Sequence, residues 1–164
     1  MNRKRSSQEI GRTNQRVGKS GENVANSVMH GLGIECLEKI ATPVKLTPYK
    51  SRGKIVPRVY YVVWGEKVSG DRHGVLSNGT GVLAEVKTIH DRNLRYGDLE
   101  DHQHAGLAKW SSHNALAVIV WVHSPDVFIM RYPIEGFVKG TGIDPEQARR
   151  LNRDALAWIE ERLK

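Results

Sequence analysis

Asp71, Glu85 and Lys87 are the residues of this chain whose types and spacing could do chemistry. Around them the sequence reads Gly70-Asp71-Arg72-His73-Gly74-Val75-Leu76-Ser77-Asn78-Gly79-Thr80-Gly81-Val82-Leu83-Ala84-Glu85-Val86-Lys87. The Ser-Asn-Gly-Thr-Gly run reverses the chain, and the apolar strand that follows projects Glu85 and Lys87 from one face. If that strand lies beside the segment before the turn, Asp71 meets Glu85 and two carboxylates share a small volume. Such a pair is unfavourable unless a cation sits between its members. Hard oxygen ligands suit Mg²⁺ or Mn²⁺, with water completing the shell. Lys87 would then lie beside the ion, able to hold a phosphate oxygen or to position and deprotonate an attacking water. The same residues also fit a turn aspartate and a cross-strand ion pair, because Glu-x-Lys is common on solvated strands.

Other polar residues have two readings each. Glu22 stands in the first turn of an expected helix, where a carboxylate favours the dipole, and is also a third carboxylate that could approach the pair. Gln103 is a helix amide, either solvated or hydrogen-bonded to water or phosphate at the site. His102 and His104 form His-x-His, but residues two apart on a helix face different ways and no cysteine stands at metal spacing, which argues against zinc.

The elements that must position these residues follow from the pattern. Ser20-Gly21-Glu22-Asn23 leads into Val24, Ala25, Val28 and Met29, a short amphipathic helix ending near Gly31 and Gly33. Residues 34–47 read as a strand interrupted at Pro43, and 56–64 as a second strand, with a basic loop around Tyr49 between them. A helix is expected over 98–112, a fully apolar central strand over 115–122, and a strand over 127–132 antiparallel to it. Asp144-Pro145-Glu146 supplies an N-cap, an N1 proline and an early acid for a last helix, 144–163.

Composition bounds the rest. With 164 residues and 39% apolar content the chain fits one domain with a core. Cys36, the sole cysteine, excludes an internal disulfide and fits a reducing compartment. No apolar run approaches the ~20 residues that span a bilayer, and the first 20 residues are too polar for a secretory signal, so a cytoplasmic protein is expected. Residues 1–60 carry 12 Lys or Arg against 4 Asp or Glu, whereas the remainder is nearly balanced. That asymmetry suggests a polyanion such as nucleic acid, or a solvated basic tail. Residues 1–19, with Arg3, Lys4, Arg5, Arg12, Arg16 and Lys19, read as a flexible basic arm ahead of a domain spanning 20–164. Tyr49, Lys50, Arg52, Lys54 and Arg58 could meet phosphates and a base, or form an ordinary solvated turn.

The order of these parts resembles the PD-(D/E)xK nuclease superfamily, and more narrowly the Holliday junction resolvases of the RecU and archaeal Hjc type. The resemblance rests on Gly21-Glu22, the segment Lys39-Ile40-Ala41-Thr42-Pro43-Val44-Lys45, Asp71, Ala84-Glu85-Val86-Lys87 and His102-Gln103, and covers residues 18–132. Gly70 stands where the family pattern has a proline. The resemblance implies an α/β, restriction-endonuclease-like fold with a mixed central sheet flanked by helices. It implies that Asp71, Glu85 and the Val86 carbonyl bind Mg²⁺, with Mn²⁺ as substitute, that Glu22 supports the ion through water, that Lys87 assists the nucleophile, and that Gln103 supports the site. Residues 43–65, with Lys45, match the stalk that such enzymes push into the junction centre. The implied activity is metal-dependent cutting of a four-way DNA junction by a homodimer, matching the junction's approximate two-fold symmetry, in a bacterial, archaeal or virus-infected cell. Two competing readings are a repair or restriction nuclease acting on duplex DNA and a non-catalytic nucleic-acid-binding protein.

Overall fold

The computed structural model describes residues 7–39, 44–51, 54–64 and 70–164. In chain order the elements are α1 (Ser7–Gly31), β1 (Ile34–Lys39), β2 (Val44–Ser51), β3 (Lys54–Trp64), β4 (Arg72–Leu76), β5 (Gly81–Thr88), β6 (Leu94–Arg95), a 3-10 turn (Tyr96–Asp98), α2 (Asp101–Ser112), β7 (Leu116–His123), β8 (Asp126–Arg131), β9 (Gly142–Ile143) and α3 (Pro145–Leu163).

An apolar run can be a strand only if both its faces are covered, and β7 meets that condition, with Leu116–Val122 all buried. It lies inside a five-stranded sheet ordered β1-β4-β5-β7-β8, parallel to β5 and antiparallel to β8. The sheet is therefore mixed, as expected. On one face Val82, Ala84 and Val86 of β5 pack with Ala25 and Met29 of α1 and Ala155 and Ile159 of α3. On the other, Leu83, Ile119, Trp121 and Met130 pack with Leu107 of α2. Glu85 and Lys87, in phase with Leu83, thus project toward α2.

Two glycines bring the site's elements together. A Cβ at Gly21 would overlap Thr88 Oγ1, so α1 lies against the end of β5 only because this position has no side chain. Gly70 has φ +77°, and a Cβ there would stand 2.6 Å from Leu83 Cδ1. Proline, with φ fixed near −65°, could not adopt this backbone, and the chain enters Asp71 from a left-handed residue instead.

Several expected boundaries move. α1 begins at Ser7, so residues 7–19, expected as a flexible arm, form the first half of a helix; Gln8, Glu9, Arg12, Gln15, Arg16 and Lys19 are straight-chain helix formers that outweigh Gly11 and Gly18. The strand expected over 34–47 is two strands in different sheets, because β1 pairs with β4 whereas β2 pairs with β3. β2 and β3 continue into the expected loop as far as Ser51 and Lys54, making a two-stranded sheet of their own. α2 starts at Asp101 rather than residue 98, since Leu99 and Glu100 are extended. α3 is capped as expected, with Asp144 Oδ1 accepting from the Gln147 N–H at 2.8 Å. No helix among the described residues is long and apolar enough to cross a membrane.

Candidate active site

The Ser77–Thr80 turn lays β4 antiparallel to β5 with Arg72 opposite Ala84. One residue before that pair, the Asp71 N–H donates to the Ala84 carbonyl at 2.9 Å, and Asp71 Oδ2 accepts from the Val86 N–H at 2.8 Å. The Asp71 side chain therefore takes the ladder position that β4 leaves open. Backbone groups alternate sides along a strand, so the Val86 carbonyl turns to the same edge as that of Ala84. Burial is the largest influence on the Asp71 carboxyl and leaves it above its usual range, against the Val86 hydrogen bond and the Lys87 charge, which pull it down.

Glu85 is 1% exposed. Its Oε1 lies 2.8 Å from Lys87 Nζ and accepts a hydrogen bond from Gln103 Nε2. Gln103 is held in this orientation from two sides: its Oε1 accepts from the Glu100 N–H at 2.8 Å and from Lys87 Nζ at 3.1 Å. A flipped amide would set its NH₂ against both donors. One residue thus completes the first turn of α2 and directs Glu85. The other oxygen, Glu85 Oε2, is buried and has no hydrogen-bond partner. Burial first, and then the Asp71 charge, push the Glu85 carboxyl up to about 7. Lys87 is spread between Glu85 and Gln103, which leaves the third of its ammonium protons for the cleft.

That cleft has a volume of about 520 Å³ and is lined by Glu22, Asp71, Glu85, Val86, Lys87, Gln103, Arg92 and Asp98, among others. The sequence-expected catalytic residues all line it. Glu22 reaches it from α1 but carries two cations of its own, Lys39 Nζ at 2.8 Å and Arg72 Nη2 at 3.3 Å. Arg92 makes a two-pronged pair with Asp98, both contacts 2.7 Å. Sequence reasoning missed the pairs made by Arg72 and Arg92; Arg72 is 50 residues from its partner, and nothing in the local pattern marks it.

Of the expected nucleic-acid contacts, Arg3, Lys4, Arg5 and Arg52 lie outside the described residues. Arg12, Arg16 and Lys19 are on α1, Lys45, Tyr49 and Lys50 on β2, and Lys54 and Arg58 on β3. His104 is buried and His102 half-buried on α2. Among the described residues no three His, Cys, Asp or Glu side chains gather to cage a metal. Two carboxylates and a carbonyl are instead a sparse oxygen set, the kind used for a cation that keeps several waters, as Mg²⁺ does. Glu85 Oε2, buried and unpartnered, fits such a cation, since a buried carboxylate oxygen without a partner is otherwise costly.

No protein-family model matches the chain, and no curated protein matches it. Among solved structures it is similar to Archaeoglobus fulgidus Hjc, a Holliday junction resolvase from an archaeal hyperthermophile, with a TM-score of 0.55 and 12% identity over 84% of this chain and 99% of that one. The likeness is one of fold: the chain has the mixed-sheet, restriction-endonuclease-like fold of that resolvase, as the resemblance in its motifs implied.

Proposed function

We propose that this protein is a structure-selective endonuclease that cuts four-way DNA junctions. The observation that carries the reading is Glu85, buried with one oxygen unpartnered beside Asp71 and Lys87, in a cleft of a fold shared with a junction resolvase. Asp71, Glu85 Oε2 and the Val86 carbonyl would hold Mg²⁺ or Mn²⁺, and the ion would supply Lewis-acid stabilisation of charge growing on the phosphate oxygens. The residues of the chain do the rest. Lys87 sets its ammonium toward the cleft, where it holds the attacking water or a phosphate oxygen in line. Gln103 fixes Glu85 and Lys87 together, so the carboxylate and the ammonium keep one relative position as the phosphate arrives. Glu22, tied to Lys39 and Arg72, closes the side of the cleft formed by α1 and orders water there.

Basic residues of α1 and of the β2–β3 hairpin, including Lys45, Lys50, Lys54 and Arg58, grip backbone phosphates in this reading, with Tyr49 offering a ring to a base, so recognition is mainly by shape. Two copies acting together would place two such sites across a two-fold substrate. Incubating the protein and Mg²⁺ with a labelled four-way junction and with the matched linear duplex tests the substrate. Paired, symmetric nicks in the junction are expected. Equal cutting of the duplex would instead identify a duplex nuclease, and binding without cutting would identify a non-catalytic DNA-binding protein.

A further inference from the structure

Beside the catalytic cleft lies a larger one, of about 810 Å³, between the Arg92–Leu99 segment and the loop Lys139–Gly142. Arg92 and Asp98 line both clefts, so the two meet at that ion pair. The walls are fixed by backbone. Leu94 and Arg95 pair with Ile143 and Gly142, and the Tyr96 N–H donates to the Thr141 carbonyl at 3.0 Å. Thr141 Oγ1 accepts from the Val138 N–H at 2.9 Å and lies 3.0 Å from the Gly136 carbonyl, which pins the loop that carries Lys139.

The charges of this cleft are uneven once its internal pair is removed. Arg92 and Asp98 neutralise each other. Arg95 and Lys139 are exposed and make no ion pair among the described residues, with Asp101 the remaining acid of the lining. Two exposed cations lining one backbone-held cleft that meets, at Arg92 and Asp98, a site read as cutting a phosphodiester, match phosphates spaced along one strand.

We infer that this cleft is the track for the DNA strand on one side of the scissile phosphate, with Arg95 and Lys139 contacting successive backbone phosphates. Arg92, held by Asp98, stands at the boundary and orients the phosphate nearest the cut. The inference rests on the nuclease reading, because the track is defined by the site it leads to. It adds that catalysis engages DNA well outside the Asp71–Lys87 cleft and through residues other than those of α1 and the hairpin.

The test is binding of a four-way junction over a range of salt by three full-length proteins in an Asp71→Asn background: that variant alone, with Arg95→Ala and Lys139→Ala added, and with Arg150→Ala and Arg153→Ala added as an equal loss of charge on α3. The plot of log affinity against log salt should flatten by about two in the cleft variant, roughly one per lost phosphate contact, and hardly at all in the α3 variant. Ethylation of a few phosphates on one side of the cut position should weaken binding of the Asp71→Asn parent but not of the cleft variant. An unchanged slope, or equal flattening in both variants, overturns the inference. Because binding is read without cleavage, such a failure is distinct from failure of the nuclease reading, which shows as absent nicking by the wild type.

Discussion

Glu85 and His104 are the two buried polar side chains of the described core, and they face the same side of the sheet from β5 and α2. Their surroundings are opposite. His104 Nε2 lies 3.1 Å from the Tyr96 carbonyl and so carries the proton, Nδ1 accepts from the Tyr132 hydroxyl at 3.2 Å, and the ring stacks on Tyr96 at 3.8 Å. Every polar atom of that side chain is used. Glu85 has one oxygen used twice and the other not at all. A buried polar group whose partners are complete specifies packing, whereas one left incomplete next to a second carboxylate costs stability and, in the nuclease reading proposed above, is kept for chemistry.

That contrast can be broken at several points. The largest expected effect is on cleavage: Asp71→Asn and Glu85→Gln should each lower junction nicking on the order of a thousandfold or more while junction binding persists, as read from labelled products and from gel-shift affinity. His104→Ala should leave metal-dependent nicking in place at temperatures where the variant is folded; if nicking vanished there, the division of roles would fail.

Next comes pH. The folded-state value of Glu85, about 7, lies above its ordinary 4.5, so the folded protein binds the proton more tightly than the unfolded chain. The metal-free protein therefore loses stability as pH rises from about 5 through 7, by on the order of 3 kcal/mol at most, and levels off above that. Urea unfolding at pH 5 and pH 8.5 would show it, and Glu85→Gln should remove this part of the pH dependence. His104→Ala should cost about 2 kcal/mol, because the Tyr132 hydroxyl and Tyr96 carbonyl lose their partner and the ring stack is gone; thermal unfolding checks this. The smallest effect, about 1–2 kcal/mol, is expected for Gly70→Ala, which sets a Cβ against Leu83 at a positive φ. Nicking by this variant should fall further than its stability, since Asp71 is the next residue.

Most of what surrounds Glu85 was legible in the sequence because it is local. A turn of small polar residues between two strands fixes register, and register alone brings Asp71 beside Glu85. Gln103 was marked by the resemblance carried by His102-Gln103, although its capping contact with Glu100 gives it a second role. What was not legible depends on long-range pairing. The hold of Lys39 and Arg72 on Glu22 and the assignment of β1 and β2 to different sheets join segments with no shared periodicity. The first half of α1 was missed for another reason: Gly11, Gly18 and a mainly basic polar stretch suggest disorder, while the propensity of the remaining residues favours helix.

In the nuclease reading, Glu85 is left incomplete for a metal ion that would promote phosphodiester cleavage. The most direct test is nicking of a labelled four-way junction by the wild type and by Glu85→Gln, each with Mg²⁺ and with EDTA, beside a binding measurement on the same substrate. Nicking is expected from the wild type with Mg²⁺ and not with EDTA, and the Glu85→Gln protein should fold and bind the junction but not cut it. Nicking that survives in Glu85→Gln, or that proceeds equally in EDTA, would contradict that reading.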